Sequence, residues 1–256
     1  PLVASLALCF ALTTGILKAR IIKKEDITTT MVEIQSPELV SNYIQFCNYR
    51  ERAKSTMTLD LTWCPWLFPT TLLPLGVFIK NHKDLKYLPP HNPNVANYIT
   101  LITGNINPRG TENKSYVPWV YLPKERDKAS KVFEGIFKLH NDGKEYGGEN
   151  VFKYLVEEMI DNIYEHSEFQ NAIVMAQRYE QKKFVEICFF DDGIGIPGSF
   201  KKKGITIEDH QTIVKAINGY STKSEERGYG ISSNLRIFTE GMDGEVLVVS
   251  GLGAVY

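Results

Sequence analysis

The sequence predicts an α/β protein, and three observations predict it. Between Asn150 and His166 apolar residues recur at helical spacing, with Val151, Phe152, Leu155, Val156, Met159, Ile160, Ile163 and Tyr164 on one stripe and Glu157, Glu158, Asp161, Asn162, Glu165 and His166 opposite. Phe184 to Phe190 alternates instead, which puts Val185, Ile187 and Phe189 on one side of a strand. From Met31 onward, strand-like and helix-like runs succeed each other. With 256 residues, 43% of them hydrophobic, the chain can bury a sizeable core and fits one large or two modest domains. We place a boundary near residue 125. Residues 1–30 then form an apolar and basic segment, 31–125 a small α/β domain with a regulatory role, and 126–256 a second unit.

Pro1 to Leu17 is mostly apolar, and a basic run from Lys18 through Lys24 comes next. About twenty apolar residues are needed to cross a bilayer, so this stretch reads as a membrane segment, a buried helix or a piece of something longer. The chain opens on Pro1 without a methionine, and Met31 is a natural first residue for the small α/β domain. Met31 to Ile34 is strand-like. Ser36-Pro37-Glu38 starts a helix, with serine as cap and proline first inside, that runs to about Tyr49 and buries Leu39, Tyr43, Ile44 and Phe46. Thr56 to Leu61 is the next strand. Trp63 and Trp66 are expected in the core. Asp60 to Pro69, leading into Leu72 to Ile79, resembles the sulphate-transporter and anti-sigma-antagonist domain. It departs from that family at Phe68 and Pro69, near the place of a phosphorylated serine, so no regulatory phosphosite is expected there.

Residues 81–124 are rich in Pro, Asn and Gly, with Asn97 to Ile102 and Tyr116 to Tyr121 as short strands between the breaks. Arg126 to Leu139 offers a helix with Ala129, Val132, Phe133, Ile136 and Phe137 on one side, and Asn141-Asp142-Gly143 stops it. Asp243 to Ser250 reads as a turn and a buried strand.

Three places carry chemistry. Glu158 and Asn162 stand four apart, so their side chains share one helix face. A carboxylate and a carboxamide there suit a hydrated magnesium ion, which takes oxygen ligands and is usually held by one or two protein groups plus phosphates. A solvated acidic face is the plainer reading. Asp191 continues the parity of Val185, Ile187 and Phe189 and so points to the core side, where a carboxylate needs a partner such as the exocyclic amine of a purine. Gly193 and Gly195 let the backbone turn sharply and approach a ligand, although an ordinary turn uses the same residues. Gly219 to Asn234 is polar and glycine-punctuated and opens into a helix. Its amides, with Lys223 or Arg227, suit phosphate oxygens, and a serine-capped surface loop is the alternative.

Taken in order, Glu158-Met159-Ile160-Asp161-Asn162, Asp191-Asp192-Gly193-Ile194-Gly195-Ile196-Pro197, and Ser221-Thr222-Lys223 through Arg227-Gly228-Tyr229-Gly230 resemble the three boxes of the histidine kinase-like ATP-binding superfamily. Sensor histidine kinases, gyrase B subunits, heat-shock chaperones, mismatch-repair proteins and anti-sigma-factor kinases share that fold. The resemblance covers roughly the C-terminal half. It implies a two-layer α/β sandwich, with a mixed sheet and helices on one face, of the Bergerat type, binding ATP and magnesium between the layers. It further implies that Asn162 ligates magnesium, that Glu158 polarises the attacking group, that Asp191 bonds the adenine amine, and that Gly193 and Gly195 shape the pocket. Ser221, Thr222, Lys223, Arg227, Gly228, Tyr229 and Gly230 would form the lid over the phosphates.

The expected activity is phosphoryl transfer from ATP to a partner protein in signalling, with a nucleotide-dependent switch that controls partner binding as the alternative. A sensor kinase carries its own phosphoacceptor on a helical hairpin, whereas His82 and His91 lie in loop-like sequence and His140 at a helix end. The acceptor is therefore expected on a regulatory or substrate protein. His166, four beyond Asn162, reads as a helix-surface histidine ahead of a phosphate contact. A net charge of -1 gives no reason to expect nucleic acid as partner. Cys9, Cys47, Cys64 and Cys188 are scattered, so reduced thiols and a cytoplasmic setting are expected, with the N-terminal segment as the one candidate for the membrane. A homodimer is open.

Overall fold

The computed structural model describes residues 38–103, 115–139, 149–180, 184–220, 235–241 and 244–256, together with the backbone of 6–13. The protein is a mixed α/β structure. Its strands are β1 (Leu6–Thr13), β2 (Thr58–Asp60), β3 (Lys86–Leu88), β4 (Tyr116–Tyr121), β5 (Ala172–Tyr179), β6 (Phe184–Asp191), β7 (Gly244–Ser250) and β8 (Gly253–Val255). Its helices are α1 (Glu38–Thr56), α2 (Pro69–Asn81), α3 (Pro93–Thr103), α4 (Ser130–Leu139), α5 (Glu149–Asn162), α6 (Gly195–Lys202) and α7 (Asp209–Ile217). Six strands form one sheet in the order β4-β5-β6-β1-β7-β8. Every pairing in it is antiparallel, and only the separate β2–β3 ribbon is parallel, so the two strand directions expected of one mixed sheet are divided between two sheets.

The apolar N-terminal stretch supplies an interior strand of that sheet. Residues 6–13 pair with β6 on one side and β7 on the other, with Leu6 opposite both Asp191 and Ser250. Among the described residues no helix is long and apolar enough to cross a membrane. Cys9 stands opposite Cys188 in this register. Cys188 is disulfide-bonded while Cys47 and Cys64 are free, which corrects the expectation of four reduced thiols.

Strand alternation gives the sheet two apolar faces, and both are covered. On the front, Val185, Ile187, Phe189, Val246 and Val248 meet Phe133 and Ile136 of α4, Leu155, Val156, Met159 and Ile160 of α5, and Ile213 of α7. On the rear, Ile173, Met175, Phe184, Phe190, Leu247 and Val249 meet Leu39 and Phe46 of α1, Leu72, Leu73 and Leu75 of α2, and Tyr98, Ile99 and Ile102 of α3. The expected single helical face is corrected to helices on both. The physical reason is visible in β6, which is buried at every position: a strand apolar on both sides must be covered on both. Within 31–125, the range expected as a small α/β domain, the described helices pack in the rear core and β4 is an edge strand of the large sheet.

The rear helices form for local reasons. α2 has Pro69 in its first turn, where a missing amide is harmless, and is buried almost all round, as befits a helix between a sheet and α1. Residues 97–102 were expected as a strand and lie in α3 instead. Val95, Tyr98, Ile99 and Ile102 bury themselves at helical spacing, while Asn92 accepts from the Asn94 amide at 3.0 Å ahead of Pro93. Of the residues expected in the core of α1, Leu39 and Phe46 are buried and Ile44 is exposed. Trp63, also expected in the core, is 84% exposed with its ring edge against His91, whereas Trp66 stacks on Tyr98 and donates to the Tyr179 hydroxyl at 3.2 Å. A carboxylate is sealed into this layer. Glu186 of β6 is fully buried and accepts from both the amide (2.7 Å) and the hydroxyl of Thr70, in the first turn of α2. Burial pushes its pKa up to about 7, and the two Thr70 donors pull the other way.

Candidate functional site

α5 lays its apolar stripe on the sheet, which leaves Glu158 and Asn162 half-buried on one face. The Asn162 amide nitrogen donates to the Glu158 carbonyl at 2.6 Å and comes within 3.5 Å of its carboxylate. That use of the nitrogen leaves the carboxamide oxygen as the acceptor or ligand end of the side chain.

Beyond Asn162 the helix widens into one π turn, Ile163–Ser167, closed by Glu168 in the left-handed region at φ 54°. The wider turn sets Ser167 against the end of β6, where its carbonyl accepts from the Ile194 amide at 2.7 Å. The neighbouring His166 carbonyl accepts from the Ser199 hydroxyl at 3.3 Å. The His166 ring is 30% exposed and lies 4.0 Å from the Glu165 carboxylate. The strand-end turn and the C-terminal end of the α5 segment are thus joined directly.

Asp191 is the last residue of β6 and is fully buried on the front, as the alternation requires. Its Oδ1 accepts from the Gly193 amide at 2.9 Å, and its Oδ2 is buried without a partner among the described residues. The Ser167 hydroxyl is equally buried and unpartnered. It lies near enough to lower the Asp191 pKa, although the two do not meet as a hydrogen bond of ordinary geometry. Burial dominates and pushes that pKa up to about 7; the Gly193 amide and then Ser167 lower it, and Asp192 raises it.

The adjacent aspartate does something else. Asp192 Oδ1 accepts from the amides of Gln170 (2.8 Å) and Asn171 (2.7 Å), and Oδ2 accepts from the Asn171 side chain at 2.7 Å. It fastens the segment that leads into β5.

The two glycines have different physical reasons. A Cβ at Gly193 would stand 1.9 Å from the Ser167 carbonyl oxygen and 2.8 Å from Asp191 Oδ1, so this residue is small because the π turn lies against it. Gly195 has φ 66°, which side chains disfavour, and it starts α6. The Ile196 amide at that helix start is met by the hydroxyl of Ser250, the buried last residue of β7, at 2.9 Å.

Ser221, Thr222, Lys223, Arg227, Gly228, Tyr229 and Gly230 lie outside the described residues. The chain on either side of them belongs to the front layer. Tyr220 rests on Phe200 with ring centroids 5.4 Å apart, and Leu235 and Phe238 are in the front core.

Sequence reading overlooked Ser167, Ser250 and the role of Asp192. Ser167 falls in a π turn, so it sits off the regular helical spacing used to sort the faces of α5. Among the described residues no three His, Cys, Asp or Glu converge as a metal cluster. A magnesium ion held by one carboxamide and substrate phosphates requires no such cluster. The site therefore offers a buried carboxylate with one open oxygen, a hydroxyl beside it, and a carboxamide and carboxylate on the neighbouring helix. Comparison of the chain with family models, curated proteins and solved structures gives no match.

Proposed function

We propose that this chain binds ATP with magnesium in the manner of the histidine kinase-like, Bergerat-type ATP-binding superfamily and passes the terminal phosphoryl group to a partner protein in signalling. The observation that carries the reading is Asp191. A carboxylate sealed into an apolar layer with one oxygen unpartnered is costly unless a ligand completes it, and an exocyclic amine is the matching donor.

The residues around it support the same reading. The Gly193 amide orients the carboxylate through Oδ1, which leaves Oδ2 for the base. Asn162, its nitrogen turned back to the Glu158 carbonyl, offers an oxygen suited to magnesium. The ion would neutralise phosphate charge, a large part of what phosphoryl transfer requires. Glu158, on the same helix face, would orient the attacking hydroxyl or imidazole and accept its proton. Ser221, Thr222, Lys223, Arg227, Gly228, Tyr229 and Gly230 would close over the phosphates. The reading puts the phosphoacceptor on a partner protein and gives no role to His82, whose Nδ1 is 2.8 Å from the Phe78 carbonyl, or to His91, which lies against Trp63.

Incubation with terminally labelled ATP and magnesium, with candidate proteins present, tests the proposal. Label on a protein supports the kinase. Free phosphate points to an ATPase, and binding with neither product to a nucleotide-dependent switch. Asp191→Ala loses binding, while Glu158→Ala binds and does not turn over. Absence of calorimetric heat with ATP and magnesium overturns the reading.

A further inference from the structure

The pairing of Asp191 with Ser167 goes beyond what the sequence motifs supply. Both end in buried oxygens without partners among the described residues, and they are of complementary kinds: Oδ2 of an ionised carboxylate only accepts, whereas a serine hydroxyl can donate. The segments that carry them are fastened together, and Ser167 lies near enough to Asp191 to lower its pKa. The Ser167 carbonyl takes the Ile194 amide, the Gly193 amide takes Asp191 Oδ1, and Gly193 between them has no room even for a methyl group. Side chains that merely filled space here would be apolar, because each unsatisfied buried polar atom costs free energy.

An acceptor beside a donor matches the edge of adenine that presents an amine beside an unprotonated ring nitrogen. Guanine and hypoxanthine present the reverse, a carbonyl oxygen beside a ring N–H. Resting on the proposed nucleotide site, we infer that Ser167 is a specificity-determining residue which donates its hydroxyl to the ring nitrogen next to the amine held by Asp191, so that the base is read at two points. One carboxylate alone distinguishes an amine from a carbonyl and leaves the ring nitrogen unread. With Ser167, a base that keeps the amine but lacks that nitrogen is also rejected.

The probe is 1-deaza-ATP, in which C–H replaces the ring nitrogen and the amine stays. Binding of ATP and of 1-deaza-ATP is measured by calorimetry on the full chain and on Ser167→Ala. The expected result is that the wild-type chain prefers ATP by about tenfold or more. Ser167→Ala binds ATP about 3- to 10-fold more weakly, and its preference for ATP over 1-deaza-ATP falls to within about twofold. Loss of helix packing alone would weaken both ligands equally and leave the ratio intact, so an unchanged ratio in Ser167→Ala overturns the inference. Equal binding of the two nucleotides by the wild-type chain also overturns it while leaving the nucleotide site standing. A wild-type chain that binds neither overturns both. Should Ser167→Ala fail to fold, Ser167→Cys, which keeps the volume and only a weak donor, takes its place under the same criteria.

Discussion

Thr70 gives both its amide and its hydroxyl to Glu186, two hydrogen bonds from α2 to a carboxylate on the rear of the same strand that ends in Asp191. Removing the hydroxyl leaves a fully buried carboxyl oxygen short of a donor. Thr70→Val is expected to lower stability by roughly 1–3 kcal/mol, which in a chain of this size lowers the melting temperature by about 2–8 °C. Glu186→Gln keeps an acceptor oxygen for Thr70 and is expected to cost less. Thermal melts of the two variants decide the point, and a Thr70→Val melt indistinguishable from wild type would show that the bond adds nothing.

Glu186 and Asp191 give the stability an unusual pH dependence. Their carboxyls lie near 4.5 and 3.8 when unperturbed, and burial pushes both up to about 7 in the folded chain. Between those values the folded chain holds protons that the unfolded chain has released. The stability these groups lend is therefore present at the acid end of the window and is lost as pH rises to about 7, by about 1.4 kcal/mol per pH unit for each group. Denaturant titrations at pH 5 and pH 8 should show a steeper loss in the wild type than in Glu186→Gln. Identical pH slopes would rule Glu186 out as the source.

ATP binding should run the opposite way. The ionised carboxylate accepts from an amine more strongly than the protonated one, and Asp191 ionises as pH rises through about 7. Affinity is expected to increase across that range in the wild type. In Asp191→Asn, which accepts through an amide oxygen at any pH, the Asp191 component disappears. An Asp191→Asn profile that still climbs like the wild type would place the titrating group elsewhere.

Gly193→Ala would press a methyl carbon onto the Ser167 carbonyl oxygen at 1.9 Å, and backbone must move to relieve it. The movement displaces both Ser167 and the amide that orients Asp191. We expect ATP affinity to fall at least about tenfold, with a measurable drop in melting temperature, read by calorimetry and thermal melts. Wild-type affinity in the folded variant would mean that the π turn is free to yield.

Asp192→Ala removes three hydrogen bonds that fasten Gln170 and Asn171, without touching Asp191 Oδ2. A stability loss of about 1–3 kcal/mol is expected, with ATP affinity changed far less than in Asp191→Ala. Denaturant melts and calorimetry separate the neighbouring aspartates. A loss of affinity equal to that of Asp191→Ala would contradict the division of roles.

The front half of the fold was legible in the sequence because its signals are periodic. The stripe of α5 and the alternation of β6 fix which side Asp191 faces, and the helix expected over 126–139 forms as a 3-10 turn, Arg126–Ala129, followed by α4, with Ala129, Phe133 and Ile136 buried. The rear layer was hidden although half of its evidence lay in β6 itself, where Phe184, Cys188 and Phe190 are as apolar as their front-facing neighbours. Tyr98, Ile99 and Thr100 suggested a strand by residue type, and the helical spacing of Val95, Tyr98, Ile99 and Ile102 was the better guide. Nothing in the local sequence distinguishes exposed Trp63 from half-buried Trp66, since the choice depends on which of them meets α3 and β5. Ser167 escaped notice because one π turn takes it out of phase with the helix before it.

The position of β1 bears on how the molecule can be divided and assembled. A fragment beginning at residue 126, where the composition invites a cut, would lack the strand that separates β6 from β7. It would leave a slot roughly 10 Å wide with two bare backbone edges, each an adhesive surface for other chains. Closing the sheet also joins segments very distant in sequence, and such pairing slows folding. Leu6 of β1 stands opposite both Asp191 and Ser250, so the proposed nucleotide site would depend on a strand far from it in sequence.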